Sequence, residues 1–402
     1  LSVFIENKKE QSVKKRKCLL KNKKIRILSI FGTRPEAIKM APLIKELEKD
    51  EEIESLVCIT AQHREMLDQV IDTFHIPVDI DLNVMTEGQT LTDITTKILI
   101  GLSQALDTLR PDMVLVHGDT TTSFVASLAA FYKQIRVGHV EAGLRTYNKY
   151  EPFPEEINRK LTGVIADIHF TPTKSSKNNL LQENISKNNI FVTGNTIIDV
   201  LKTTIEKDYI FDEKVLNSID YNKKIIVVTA HRRENLGEPL KKICFSLKDI
   251  KELYRDVEII YAVHKNPDVM KVVIEILGNV KGVYLVPALS LKDMHNLLNL
   301  SYLVLTDSGG LQEEVPSLGK PVLVLRNVTE RPEGIESGAL KLVGTDRQNI
   351  VENVSFLLEN DTMYKNMVTT RNPFGDGYAS IRIVEAIKFF FGITNKCIKE
   401  YL

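Results

Sequence analysis

The sequence predicts an α/β fold of two Rossmann-like, doubly wound domains, and three observations carry that prediction. Short apolar runs alternate with helical stretches almost throughout, the pattern of parallel sheets with crossover helices. The length, 402 residues, exceeds what one core usually holds. The acidic and basic residues that stand out follow strand candidates, where open α/β sheets collect ligands and chemistry.

The first strand reads KIRILSIF (24–31). It feeds the turn Gly32-Thr33-Arg34-Pro35-Glu36, and the helix behind it repeats Ile38, Leu43, Ile44 and Leu47 at helical spacing. SLVCIT (55–60) and MVLVHGD (113–119) read as further strands; LTDITTKILIGLSQALDTL between them is helical and stops before Arg110-Pro111. RVGHVEAG (136–143) and DIHFTPT (167–173) continue the series, and the chain leaves the first unit around residues 192–195. After a polar stretch near 203–223, a second series follows: KIIVVTA (224–230), VEIIYAV (257–263), GVYLVPA (282–288), SYLVLTD (301–307) and PVLVLR (321–326). Domains are therefore expected at 24–195 and 196–378, with the amphipathic segment 379–402 returning as a helix to the first. Residues 1–23, polar and lysine-rich, read as a disordered basic extension.

Composition narrows the function. Lys plus Arg equals Asp plus Glu, 53 of each, so no global field favours nucleic acid or an anionic membrane. No apolar run approaches the ~20 residues that span a bilayer. Cys18, Cys58, Cys244 and Cys397 lie far apart without a CxxC pair, which points to a reducing cytoplasm. No HExxH or Cys/His zinc spacing occurs, and Asp79-Ile80-Asp81 reads as an irregular segment without partners, so no metal is expected. The absence of GxGxxG and of a Walker A loop argues against a bound dinucleotide cofactor and against P-loop hydrolysis.

Three carboxylates carry most of the chemistry: Asp119 in VHGDTTTS, Glu141 in VGHVEAGLRT and Glu155 in PFPEEINR. Acids converging with cations suit proton removal and return on a bound sugar. The turn at Gly32, with Arg34 and Lys39 nearby, suits an anion at a helix N-terminus; a plain strand–helix turn with surface cations is the other reading. Asp307-Ser308-Gly309-Gly310 opens a helix after a strand. Its glycines admit a phosphate, Ser308 caps the helix or bonds a phosphate oxygen, and Glu313 or Glu314 can accept from ribose hydroxyls. His231 with Arg232 and Arg233 forms a cationic cluster suited to a leaving diphosphate, and Arg331 in TERPEG adds to it.

These strings resemble the non-hydrolysing UDP-N-acetylglucosamine 2-epimerases. The shared stretches are FGTRPEAIKMAPL, TAQHREML, VHGDTTTS, GHVEAGLRT, PEEINRKLTG, TGNTIIDVL, HRRENLG, DSGGLQEEVPSLGKPVLVLR and TERPE, in order and spacing from residue 25 to beyond 345. The resemblance implies a GT-B-like fold whose domains face a cleft, a homodimer, and reversible inversion at C2 of the UDP-sugar for cell-surface polysaccharide synthesis. Since no ring carbonyl acidifies C2–H and no nicotinamide fingerprint is present, UDP would leave by elimination and add back through 2-acetamidoglucal. The resemblance makes Asp119, Glu141 and Glu155 catalytic, with His231 assisting at the diphosphate. It assigns Arg34, Lys39, Arg159, Arg232, Ser308, Gly309, Gly310 and Arg331 to the UDP group and Glu314 to the ribose. Gln62 and His264 match segments through which some members are activated by their own substrate, although Gly88 stands where activated relatives often carry Arg. The loop Pro287-Ala288-Leu289-Ser290-Leu291 departs from the family where the uracil packs. Alternatives are a hydrolysing epimerase releasing N-acetylmannosamine and UDP, an epimerase of a UDP-6-deoxy-N-acetylhexosamine, a GT-B glycosyltransferase, and a sugar-nucleotide-binding regulator.

Overall fold

Runs such as Ile25–Phe31 are apolar on nearly every residue, which suits a parallel strand covered by helices on both faces. The protein is described by a computed structural model that covers residues 24–61, 64–86 and 88–401. The 1–23 extension and Gln62 lie outside the described residues. The chain divides into one unit that runs up to Val200 and resumes at Gly377, and another spanning Leu201–Asp376.

The first unit holds β1 (Ile25–Phe31), β2 (Ile53–Ile59), β3 (Ile80–Asp81), β4 (Met113–His117), β5 (Arg136–Val140), β6 (Ile168–Thr171) and β7 (Ile190–Val192). They form one parallel sheet in the order β3-β2-β1-β4-β5-β6-β7. The second unit holds β8 (Lys224–Thr229), β9 (Val257–Ala262), β10 (Val283–Val286), β11 (Leu303–Thr306), β12 (Val322–Val324) and β13 (Leu340–Leu342). Its order, β10-β9-β8-β11-β12-β13, is again parallel and doubly wound. Alternation within β8 shows the two covered faces: Ile226 and Val228 join one apolar cluster, Ile225 and Val227 the other.

Strand order reverses between β1 and β4 in the first sheet and between β8 and β11 in the second. Beyond the carboxyl ends of such strands a crevice opens, and ligands of doubly wound sheets bind there. The turns at Gly32 and Asp119 flank the first of these points, and the turns at His231 and Ser308 flank the second.

The helix Ala379–Phe390 belongs to the first unit for specific reasons. Its leading amides, on Ala379 and Ser380, donate to the buried Asp199 carboxylate at 3.1 and 2.8 Å. Near its other end Lys388 pairs with Asp50 at 2.8 Å and Glu52 at 2.7 Å.

One feature differs from the sequence reading. Asp79 and Asp81 are not partnerless: Ile80–Asp81 is an edge strand, Asp79 accepts from the Val57 amide at 2.8 Å, and Asp81 pairs with Arg64. The polar stretch near 203–223 is anchored: Phe211, Leu216 and Ile219 are buried, and the Phe211 and Tyr221 rings stack. Among the described residues, no helix is long and apolar enough to cross a membrane, and no group of His, Cys, Asp or Glu side chains could hold a metal ion.

Candidate active site

In the first unit, the turn after β1 packs too tightly for any side chain. A Cβ on Gly32 would stand 2.1 Å from Thr60 Oγ1 and 2.7 Å from Thr122 Oγ1. The helix Arg34–Lys49 that follows begins with a capping box between Thr33 and Glu36. Glu36 does more than cap. Its buried carboxylate accepts from the amides of Gly32 (3.0 Å) and Thr33 (2.8 Å), and from the hydroxyls of Thr120 (2.6 Å) and Ser123 (3.0 Å). The amides expected to meet an external anion here are therefore already satisfied. Those two amides are not free for an anion at this turn.

Glu141 sits just beyond β5 with φ of +60°, a conformation that non-glycine residues seldom adopt and that clusters at functional sites. Its Oε2 forms an ion pair with Lys39, accepts from Asn195 Nδ2 at 3.0 Å, and lies 3.5 Å from His117 Nε2. Burial alone would raise its pKa; Lys39 and His117 outweigh burial and hold it well below the usual carboxylate range. Asp119 follows β4 and is bound by Arg159 Nη2 at 2.5 Å. Burial pushes the Asp119 pKa up; Arg159 opposes the rise, and Glu141 and Glu155 add to it. The two acids are thus driven in opposite directions.

Glu155 opens the helix Glu155–Ile165, and its Oε2 is buried without a hydrogen-bond partner. One turn on, Arg159 reaches Asp119, while Asn158 Nδ2 donates to the Asp119 carbonyl at 3.0 Å. The fully buried Glu156 accepts from the amides of Thr146 and Tyr147, each at 3.0 Å, which ties the preceding loop to this helix. Deeper in the sheet, His139 Nε2 meets the Gly118 carbonyl at 2.7 Å, bracing the turn that carries Asp119.

In the second unit, one carboxylate organises the site. Asp307 has no exposed surface, and its Oδ2 accepts from the His231 amide (2.7 Å), the Arg232 amide (2.8 Å) and Asn235 Nδ2 (3.0 Å). The His231 ring stacks on His264 with centroids 5.0 Å apart and planes 7° from parallel. The helix Gly309–Glu314 starts at Ser308, whose amide donates to Thr306 Oγ1 at 3.0 Å. Arg331 lies over this turn: a Cβ on Gly309 would be 3.3 Å from its Cζ. Glu313 fixes that guanidinium at 2.8 Å (Nε) and 2.7 Å (Nη2). Glu314 is held by buried His295 at 3.1 Å, and the other ring nitrogen of His295 meets Thr204 at 2.6 Å.

Asp119, Glu141, Glu155, Lys39 and Arg159 thus gather in the first unit, with Arg34 on the neighbouring turn. His231, Arg232, His264, Ser308, Gly309, Gly310, Glu314 and Arg331 gather in the second. Sequence reasoning gave no role to Glu36, His117, Asn195 or Asp307, and offered Glu313 only as a ribose acceptor. The Thr33-x-x-Glu36 spacing was a readable signal; the other contacts join residues far apart in the chain.

Two doubly wound units, one with opposed carboxylates at its switch point and one with a glycine turn under an arginine, define an α/β enzyme of the sugar-nucleotide class. The family model described as UDP-N-acetylglucosamine 2-epimerase matches residues 45–388, and the chain belongs to that family. It is 55% identical over 374 residues to the UDP-N-acetylglucosamine 2-epimerase of Bacillus subtilis, covering 93% of this chain and 98% of the relative. The structure of the Neisseria meningitidis UDP-GlcNAc 2-epimerase bound to UDP-GlcNAc matches with a TM-score of 0.80 at 51% identity, over 90% of this chain and 99% of that one. The Methanocaldococcus jannaschii UDP-GlcNAc 2-epimerase, in complex with UDP-GlcNAc and UDP, matches with a TM-score of 0.70 at 33% identity, over 91% and 100%.

Proposed function

We propose that the chain interconverts UDP-N-acetylglucosamine and UDP-N-acetylmannosamine by eliminating UDP and adding it back through 2-acetamidoglucal. The observation that carries this reading is the pair of carboxylates beyond β4 and β5, Asp119 held by Arg159 and Glu141 by Lys39 beside His117, in surroundings that push their proton affinities apart. Breaking C1–O and C2–H together yields the glycal, UDP and a proton. One carboxylate takes the C2 proton, and another returns it on the opposite face. Asp119, whose pKa is raised, suits a proton carrier; Glu141, clamped by Lys39 and His117, suits a fixed anion or base. Glu155, with an unsatisfied oxygen, is the third acid.

Negative charge grows on UDP as the C1–O bond lengthens, so its holder must be cationic and rich in donors. Arg331, Arg232, His231, Ser308 and the turn amides of Gly309 and Gly310 fill that role, with Glu314 on the ribose. Lys39 and Arg159 act through the acids they pair with, and Arg34 is available to the sugar-nucleotide. The substrate assignment is supported by the UDP-GlcNAc held in the Neisseria and Methanocaldococcus relatives. His264, stacked on His231, supports that ring; substrate activation through it and Gln62 is a further part of the proposal.

A homodimer belongs to the same reading. It is supported by an apolar stripe on the helix that carries Glu155: Ile157, Leu161 and Val164 are 39%, 41% and 78% exposed. Buried, unpaired Cys58 and Cys244 fit a reducing cytoplasm.

Proton NMR of the protein with UDP-N-acetylglucosamine in deuterated water tests the function. Gluco and manno UDP-sugars carrying deuterium at C2 are expected. Accumulation of free N-acetylmannosamine and UDP would replace this reading with a hydrolysing epimerase. An unchanged spectrum would overturn it and direct the assay to UDP-6-deoxy sugars.

A further inference from the structure

We infer that Asp307 is a positioning residue that fixes the tautomer and ring orientation of His231. The inference rests on the role proposed above for His231 at the diphosphate, and its geometry lies wholly within the second unit.

The two oxygens of Asp307 do different things. Oδ2 is saturated by three donors, the amides of His231 and Arg232 and the side chain of Asn235. These bonds lock the loop after β8 to the end of β11. Oδ1 is buried and has no hydrogen-bond partner, yet it lies 3.5 Å from His231 Nδ1. A wholly buried carboxylate oxygen without a donor is costly. The nearby ring nitrogen is the group that can satisfy it, provided that Nδ1 carries a proton. Hydrogen bonds of this kind are often long in a free enzyme and shorten when ligand binds.

The rest of the surroundings act in the same direction. His264, just after β9, stacks on one face of the ring and favours the ring plane seen here. Asn235, besides holding Asp307, donates to the Leu325 carbonyl at 3.0 Å, so the carboxylate itself cannot swing away. The titratable and charged groups around the ring are Asp307, His264 and Arg232, with Tyr261 of β9 behind, donating to the Ala230 carbonyl at 3.1 Å. Burial, His264 and Arg232 all pull the His231 pKa down, and only Asp307 opposes them. With Nδ1–H aimed at Asp307, Nε2 is the nitrogen available to the diphosphate, and the carboxylate steadies the imidazolium when the ring is charged. This is the orienting logic of the carboxylate in a Ser-His-Asp triad.

Asp307→Asn separates positioning from loop support. Its amide oxygen can still accept from the His231 and Arg232 amides, while its NH2 group now faces Nδ1. The neutral ring is then forced to carry its proton on Nε2. Nitrogen-15 NMR of ring-labelled protein, with His231→Gln to assign the signal, reads the tautomer and the titration directly. In the wild type the neutral ring should be protonated on Nδ1. In Asp307→Asn the proton should move to Nε2 and the ring should titrate at lower pH. The kcat should drop about 10- to 100-fold, part of what general acid–base groups contribute, with UDP affinity within roughly threefold.

A wild-type ring protonated on Nε2 would overturn the inference even if the variant failed to fold. So would an unchanged titration in Asp307→Asn, or a loss of UDP affinity that matches the loss of kcat, which would mark Asp307 as a loop staple alone. If the wild type shows no epimerase turnover, the proposed function fails, whereas the tautomer and titration still decide the Asp307–His231 pairing.

Discussion

The two switch points solve one problem in opposite senses. Each needs its two flanking turns held together, and each uses a buried carboxylate to do it. In the first unit Glu36, behind β1, bonds its own turn and reaches Thr120 and Ser123 behind β4. In the second, Asp307 behind β11 reaches back to the amides behind β8. The choice decides what is left for a ligand. Where Glu36 has consumed the amides of the β1 turn, the groups left for the proposed chemistry are Asp119 and Glu141, paired with Arg159 and with Lys39 beside His117. Where Asp307 consumes the β8 amides, the Ser308 turn remains for an anion, and Arg331 lies over it. On the proposed function, one strand order therefore carries a proton-handling half and an anion-holding half.

The largest effects should break that division if it is wrong. Glu141→Gln removes a carboxylate from the proton chemistry, and kcat should fall about 100- to 10,000-fold while UDP affinity holds. Arg331→Met should do the reverse in binding, raising the UDP Kd by about 30-fold or more as a charge-assisted contact is lost. Calorimetric titration with UDP beside an NMR turnover assay separates them. Equal loss of UDP affinity in both variants would show that the halves do not divide the work.

Glu36 tests the staple itself. Glu36→Ala takes the acceptor from the Gly32 and Thr33 amides and breaks the bonds from the Thr33, Thr120 and Ser123 hydroxyls, and the first unit should lose about 3 kcal/mol or more of stability. Hydrogen exchange at β1 and β4 amides should rise, while β8 and β11 amides keep their protection. Uniform loss across both sheets would mean that the units do not open separately.

Acid should also separate the halves. Burial is the main reason that His139 is pulled down to about 3 and His169 to about 4, and both lie in the first sheet. Their unfolded pKa is near 6.5, so between pH 6.5 and 4 the unfolded chain binds protons that the folded chain refuses. Stability then falls as pH falls, by up to about 1.4 kcal/mol per pH unit for each ring. Glu141 adds its loss only below the ordinary carboxylate range, since its folded pKa is depressed; Asp119, with a raised pKa, works in the opposite sense. Protection of β5 and β6 amides should therefore decline between pH 7 and 5 faster than that of β8 and β11. His231 is also pulled down in the second unit, so the excess belongs to the two histidines of the first sheet less that one, and His139→Gln should remove a large part of it. Parallel decline in both sheets would refute this account.

Much of this contrast was legible in the sequence, and the rest was hidden for physical reasons. Long apolar runs such as Ile25–Phe31 and Lys224–Thr229 announced their strands, and the acids and cations after them marked the candidate site. Edge strands of two or three residues, Ile80–Asp81, Ile190–Val192 and Leu340–Leu342, carry too little pattern to register. The Gly32 turn looked open because sequence shows a helix N-terminus but not which group has filled it. Asp307 looked like the end of a strand because its partners lie some seventy-five residues earlier.

The smallest effect on folding should come from the outer face of the helix that carries Glu155. Its inner face is polar, with Glu156, Asn158, Arg159 and Thr162 buried. Its outer face carries Ile157, Leu161 and Val164, the reverse of an ordinary surface helix. Val164, 78% exposed, contributes little to the fold, so Val164→Glu should change stability by no more than about 0.5 kcal/mol. Burying that glutamate between two copies would cost several kcal/mol, so sedimentation should show a monomer in place of the dimer proposed for the unaltered chain. The comparison sharpens if the monomer also loses kcat while its UDP affinity stands. The apolar stripe would then support the proton-handling half through Glu155 and Arg159, and the anion-holding half would need no such brace. A Val164→Glu protein that remains dimeric would place the interface elsewhere and leave the stripe to another partner.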